Sequence, residues 1–244
     1  MTEYPFWQES DSQDFIDYGR YFVPQREYQL QTIAELIPQP EGKANILELS
    51  CGEGLLAQTI LRRFPGITLH GYDLSPAMLD QATLRLAHFG NRFLPRQFDL
   101  NHQAWRTGKP TFHAIVSSLT VHHLDGPDKL RLFLDLFEML LPGGTLVIAD
   151  LIAPKRPLGT AVAAKAWDEA VRQRSQMLDG HNDGLTQFER LKWNLYHYPE
   201  DPAVAIDKPS SLLDQLQWVE QAGFTAVDLH WMLAGHVIYS GVKQ

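Results

Sequence analysis

Ala44-Asn-Ile-Leu-Glu-Leu-Ser-Cys-Gly-Glu-Gly54 is the stretch whose reading decides the fold. Its first half, Ala44–Leu49, is a short apolar run suited to a buried strand. Its second half is a turn whose glycines, Gly52 and Gly54, open a helix with Leu55, Leu56, Ile60 and Leu61 at helical spacing. Glycine lets the backbone pass a ligand with no Cβ in the way, and the first turn of a helix offers unpaired N–H groups. Strand, glycine turn and helix in that order form an α/β unit with a ligand site at the strand's carboxyl end. Pro65-Gly66 ends the helix, and Ile67–Asp73 reads as the second strand. Asp73 closes that strand about 20 residues beyond the turn, where a carboxylate accepts the hydroxyls of a ribose.

Outward from there, strand-like and helix-like segments alternate. Arg92–Phe98, Phe112–Leu119 and Thr145–Ile152 read as strands three to five. Ser75-Pro76 supplies a helix cap with a proline at the first helical position, and Gly90 stands where that helix should end. Pro127 opens a helix with Leu130, Phe133, Leu134, Phe137 and Leu141 on one face, and Pro142-Gly143-Gly144 breaks it. Ser211 and Asp214 form a capping pair, and Gly223 closes the helix they start. Thr225–Trp231 and His236–Val242 are joined by a link too short for a crossover, which makes them an antiparallel hairpin. The pattern predicts a doubly wound, mostly parallel seven-stranded sheet with helices on both faces. Residues 1–244 are read as a single domain whose core is 44–152 and 211–244.

Two additions flank that core. Residues 1–43 form a helical N-terminal arm, helical from about Gln25 through Leu30, Ile33, Ala34 and Ile37. Residues 153–210 form a helical insertion after strand five. Ala163, Trp167, Ala170, Val171, Arg174 and Leu178 share one face there, and Phe188, Leu191, Lys192 and Leu195 another. A connection this long calls for a purpose. Leaving from the edge that carries the site residues, it reads as a cap over a bound acceptor, with Asp179–Gly184 as its mobile joint.

The chain carries 29 acidic and 21 basic residues, a formal charge of −8. Arg85, Arg92, Arg96, Arg106 and Lys109 are scattered, which argues against a bulk polyanion such as nucleic acid and favours a small molecule. No apolar run reaches the ~18 residues of a membrane span. The polar, acidic start MTEYPFWQESDSQDF is unlike a secretory signal, so a cytoplasmic monomer or homodimer is expected. Cys51 is the single cysteine, and no His/Cys/carboxylate spacing suggests a metal, so none is expected.

Gly52, Gly54 and Ala57 also satisfy the G-x-G-x-x-A pattern of nicotinamide and flavin enzymes. Glu48 tilts the reading away from them, because its charge would oppose a pyrophosphate and suits an ammonium group. Asp99, ending strand three in Phe98-Asp99-Leu100, is placed to accept from an adenine amino group beside an apolar wall. At this point the chain resembles the class I S-adenosylmethionine-dependent methyltransferases, through ILELSCGEG, HGYDLSPAML, QFDL, VSSLTVHHL and LPGGTLVIAD in that order. The resemblance covers 44–152 well and 211–244 moderately, and assigns nothing to the arm or the insertion. Ser50 stands where that family usually has its first glycine. The resemblance implies a Rossmann-like sheet with an antiparallel last strand, and S-adenosyl-L-methionine as cofactor. It places Glu48, Ser50, Gly52 and Gly54 at the methionine portion and Asp73 at the ribose. Leu74 and Met78 would flank the adenine, Asp99 and Leu100 would meet its amino edge, and Ser118 and Leu119 would lie beneath the sulfonium.

After strand four come His122 and His123. A histidine with a pKa near 6.5 suits a general base at neutral pH, and His123, beside the next helix start, is the one expected to face the cleft. Tyr21, Arg26, Trp167, Trp193 and Tyr196 are the acceptor-binding candidates, at least half of the aromatic ones being expected to serve as core. Aromatic walls point to a small aromatic or lipophilic acceptor. The competing readings are an RNA-modifying enzyme using S-adenosylmethionine or a carboxylated form of it, an NAD-dependent oxidoreductase, and a non-catalytic cofactor-binding scaffold.

Overall fold

Strand β1 (Ala44–Leu49) lies in the middle of a seven-stranded sheet because it is apolar on both sides, and only a strand covered on both faces tolerates that. The computed structural model describes residues 7–106, 111–201 and 204–244; Lys109 lies outside them. β1 pairs in parallel with β2 (Ile67–Asp73) and β4 (Phe112–Ser118). β3 (Phe93–Gln97) extends the sheet beyond β2, and β5 (Leu140–Leu151) extends it beyond β4. The closing hairpin is β6 (Thr225–Leu233) and β7 (His236–Val242), with β7 inserted antiparallel between β5 and β6. The full order is β3-β2-β1-β4-β5-β7-β6.

Alternation along the strands builds a core on each face. Leu47, Leu49, Ile115, Leu146 and Ile148 pack toward α5 (Gly126–Met139) and α8 (Leu212–Gln221). Ile46, Ala114, Val116 and Val147 pack toward α2 (Arg26–Glu35), α3 (Leu55–Arg63) and α4 (Pro76–Leu86). The capping signals hold: the hydroxyls of Ser75 and Ser211 accept from Met78 N and Asp214 N.

Three expectations are corrected. An additional helix, α1 (Glu9–Phe22), precedes α2. Its sequence is mostly polar, so apolar spacing gave no signal; Gln8 and Asp11 cap it, and its buried end packs on the insertion. Leu134 and Leu178 are exposed, because α5 buries Lys129, Leu132, Phe133, Leu136 and Met139, and helix α6 (Pro157–Asp179) turns Arg174 and Ser175 inward. Leu141 belongs to β5 rather than to the helix before it.

The insertion is helical only in about its first two thirds, α6 and α7 (Asp183–Arg190), and continues to Ser211 without a further α-helix among the described residues. A third core of Tyr21, Phe22, Leu151, Ala163, Trp167, Val171, Phe188 and Tyr196 welds the arm and the insertion to the sheet. The joint between α6 and α7 is anchored. The Tyr21 hydroxyl donates to Asp179, Ser175 Oγ accepts from Gly184 N at 3.0 Å, and a Cβ on Gly184 would come within 2.5 Å of the Tyr21 ring.

Tyr196 is a structural residue. Its buried hydroxyl donates to the carbonyls of Ile152 (2.6 Å) and Gly235 (3.2 Å), and it fills the space a Cβ on Gly235 would need. Tyr196→Phe is expected to destabilise the protein by about 1–2 kcal/mol. Urea unfolding should show a lower midpoint at unchanged slope, with ligand binding intact.

Candidate functional site

A cleft of about 1320 Å³ opens along the carboxyl edge of the sheet, where open α/β sheets bind ligands. Single-ligand sites run to about 300–1,000 Å³, so this one has room for two molecules.

One end is the turn after β1. Ser50, Gly52 and Gly54 all take left-handed backbone conformations (φ 51°, 51° and 82°), so Ser50 keeps the conformation for which glycine is the usual choice. Gly52 faces the cleft, where an added Cβ would meet nothing nearer than Met78 Sδ at 3.9 Å. Gly54 does not. It is buried, and a Cβ there would press within 3.1 Å of Ala82 and Leu86, so it serves the packing of α3 on α4 and not a ligand.

Asp73 fastens this turn. One carboxylate oxygen accepts from Gly52 N (2.8 Å) and the other from Ser75 N (3.0 Å). Burial raises its pKa against the pull of those bonds, and each oxygen keeps a lone pair for another donor. Glu48 and Arg26 line the same end with unsatisfied atoms, Oε2 and Nη1 having no hydrogen-bond partner among the described residues. Burial and the charge of Asp73 push the Glu48 carboxyl well above the usual range. Burial draws the Arg26 guanidinium down to about 10, although Glu53 lies 3.5 Å away. Arg26 thus stands at the glycine turn, not beside the other acceptor candidates.

Leu74, Met78, Asp99 and Leu100 continue the lining toward β3. Asp99 also closes its own loop, accepting from Asn101 N (2.8 Å) and Asn101 Nδ2 (3.1 Å). Ser118 and Leu119 form the floor at the end of β4. Leu119 holds a left-handed backbone (φ 56°) and is pinned through its N–H to Ala149 O at 2.8 Å. A branched side chain in that region is strained, and such strain concentrates at functional sites.

At the other end the two histidines divide. Asp150 takes both the backbone N–H of His122 (2.8 Å) and its Nδ1, while Nε2 stands 3.4 Å from Asp207. Burial works against the imidazolium, but the charge and hydrogen bond of Asp150, together with the charge of Asp207, outweigh it and push the pKa up to about 10. His122 is therefore a buried cation and no general base at neutral pH. His123 is partly exposed to the cleft, its Nδ1 3.2 Å from Asp207 and its ring against Trp7.

Sequence reasoning missed Asp150 and Asp207. Asp150 ends the strand-five motif LPGGTLVIAD, so a signal was present; Asp207 sits in a stretch with none. The segment bearing Asp207 is fastened by Lys208 N on His122 O (2.7 Å) and by buried Lys129, whose Nζ reaches Lys208 O and Ser210 Oγ at 2.5 and 2.7 Å.

Of the acceptor candidates, Trp193 lines the cleft in an aromatic cluster with Trp7, Phe15 and Phe22. Trp167 is 2% exposed, and its Nε1 is committed to Phe22 O at 2.7 Å. Tyr21 and Tyr196 belong to the core between arm, insertion and sheet, away from the cleft.

Residues 47–146 match the family model of a methyltransferase domain. The chain is 33% identical over 106 residues to malonyl-[acyl-carrier protein] O-methyltransferase 1 of Ilyobacter polytropus, covering 43% of this chain and 37% of the relative. With an uncharacterized methyltransferase of Mycobacterium bovis it shares 30% over 115 residues, 47% of this chain and 54% of the relative. The chain thus spans about a third to about half the length of these two relatives. Trans-aconitate 2-methyltransferase of Variovorax paradoxus is 28% identical over 218 residues, 84% of this chain and 77% of the relative. Among solved structures, an O-methyltransferase family protein from Burkholderia thailandensis superposes with a TM-score of 0.64 at 16% identity, over 89% of this chain and 56% of that one.

Glu48 generates a pH prediction. A carboxyl whose folded pKa lies above its unfolded value binds more protons in the fold, so it favours folding at low pH. That contribution is lost as pH rises from about 4.3 through the raised pKa. The ligand-free protein should lose stability over that range, and Glu48→Gln should flatten the curve; denaturant unfolding across pH checks it.

Proposed function

We propose that this chain, a member of the class I S-adenosylmethionine-dependent methyltransferases, transfers a methyl group from S-adenosylmethionine to a small aromatic or lipophilic acceptor. The observation that carries the reading is the pair of unsatisfied buried atoms flanking Gly52, an acidic one on Glu48 and a cationic one on Arg26. An amino-acid zwitterion supplies the complement of both, ammonium to Glu48 and carboxylate to Arg26. On this reading Arg26 serves the cofactor rather than the acceptor. The spare lone pairs of Asp73 suit ribose hydroxyls, and Leu74, Met78 and Leu100 suit the faces of an adenine with Asp99 at its amino edge.

The bound cofactor supplies a methyl group on a sulfonium, already a strong electrophile. The protein's task is alignment, which alone is worth about 7–11 kcal/mol of a bimolecular barrier. Ser118 and the strained Leu119 form the floor on which the reacting centre would rest. Trp7, Phe15 and Trp193 would hold a flat or apolar acceptor against it, with His122, His123 and Asp207 bordering its polar end.

A second reading, an acidic acceptor, is favoured by Lys208 lining the same end. It agrees with the name of the trans-aconitate relative. Turnover measured on a panel of phenolic, lipophilic and polycarboxylic compounds separates the two.

Calorimetry with S-adenosylhomocysteine tests the cofactor site. Wild-type protein should bind it and not NADH, and Glu48→Gln should weaken binding by about 1.5–3 kcal/mol, one charged hydrogen bond. Trp193→Ala should leave that affinity unchanged and lower acceptor turnover about tenfold or more. Binding of NADH in place of S-adenosylhomocysteine would overturn the assignment.

A further inference from the structure

We infer that His122, His123 and Asp207 bind a divalent transition-metal ion at the acceptor end of the cleft. Nε2 of His122, Nδ1 of His123 and a carboxylate oxygen of Asp207 all lie within 4.8 Å of one another. Two distances fit ligation of a common ion. The two ring nitrogens stand 3.4 and 3.2 Å from the same Oδ1 of Asp207. A charged N–H···O bond settles at about 2.7–2.9 Å, so both gaps are wide for that bond. Nδ1 of His123 is buried and makes no hydrogen bond with any described residue. Around a four-coordinate ion with bonds of about 2.0–2.2 Å, neighbouring ligand atoms stand about 3.3–3.6 Å apart. The 3.4 and 3.2 Å distances to Asp207 Oδ1 are close to that edge, and the two ring nitrogens lie within 4.8 Å of each other.

The surroundings of His122 agree. Its Nδ1 is engaged by Asp150, which is itself held by the backbone N–H groups of His122 and Leu151, both at 2.8 Å. A carboxylate behind a histidine is the usual outer partner of a metal ligand, fixing the ring so that the other nitrogen presents its lone pair. In place of a proton on Nε2, an ion would give His122, His123 and Asp207 one common partner. Two imidazoles and one carboxylate suit first-row ions such as zinc, cobalt or iron(II), whereas magnesium and calcium prefer oxygen alone.

Three protein ligands leave a position open, and here it faces the cleft that also holds Ser118, Leu119 and Trp7. An oxygen of the acceptor is the ligand for that position, oriented by the ion and favoured in its deprotonated form. This last part rests on the methyl-transfer reading, and it makes His123 a metal ligand instead of a general base. No spacing in the sequence pointed to such a site, because Asp207 reaches the histidines only through the fold.

The test uses the full chain, freed of metal with a chelator and titrated with cobalt(II), uptake being followed by equilibrium dialysis and by the visible absorption of the bound ion. One equivalent should bind. His123→Gln and Asp207→Asn should each weaken uptake roughly tenfold or more, and Asp150→Asn, which removes only the outer carboxylate, about 10–100-fold. Affinity for S-adenosylhomocysteine, measured on the same samples, should be unchanged in the His123 and Asp207 variants, which excludes unfolding as the cause. Wild-type protein that takes up no more cobalt than the His123→Gln/Asp207→Asn double variant overturns the site. Wild-type protein that binds cobalt but not S-adenosylhomocysteine overturns the methyl-transfer reading and leaves the metal site standing.

Discussion

The carboxylate of Asp73 is the interaction on which the site depends. It accepts from Gly52 N and from Ser75 N, and so joins the turn after β1 to the start of α4. Arg85 of α4 adds to the tie, its Nε donating to Glu53 O in the same turn at 2.8 Å. Burial opposes the ionised form of this carboxylate, and the backbone donors compensate. Glu48, buried alongside, shows the contrast: two neighbouring carboxyls, one satisfied by hydrogen bonds and one whose Oε2 has no partner among the described residues.

The far end of the cleft is organised by a second buried acid. Asp150, at the end of β5, takes two bonds from His122, and His122 in turn faces Asp207. Lys129 holds the Asp207 segment from below through two oxygens. These contacts draw residues from the end of β4, the end of β5 and the tail of the insertion to one point. The His122 end of the cleft is therefore built by tertiary contact, whereas the Gly52 end is built by a turn and the strand beside it.

That difference explains what was legible in the sequence. The strands, the capped helices and the glycine turn follow from short-range periodicity and turn chemistry, and they match the structure closely, with Ser75 and Ser211 capping as expected. Gly54 was misassigned because its role is steric, against Ala82 and Leu86 on another helix. Tyr21 and Tyr196 were offered to an acceptor and prove to be core, since an aromatic residue on an amphipathic stretch carries no mark of which buried surface it joins. Helix α1 escaped because its stability comes from its cap and its docking, not from an apolar stripe.

By itself, then, the sequence determined the order of elements, the parallel sheet with its closing hairpin, and a glycine turn bracketed by Glu48 and Asp73. Each of these is written in residues close together along the chain, where backbone geometry and side-chain period act directly. The tertiary structure alone decided which buried atoms stay unpaired, that His122 is held between Asp150 and Asp207, and that Asp207 reaches both histidines. Those outcomes depend on desolvation and on charges brought together from distant segments, and neither exists until the chain is folded.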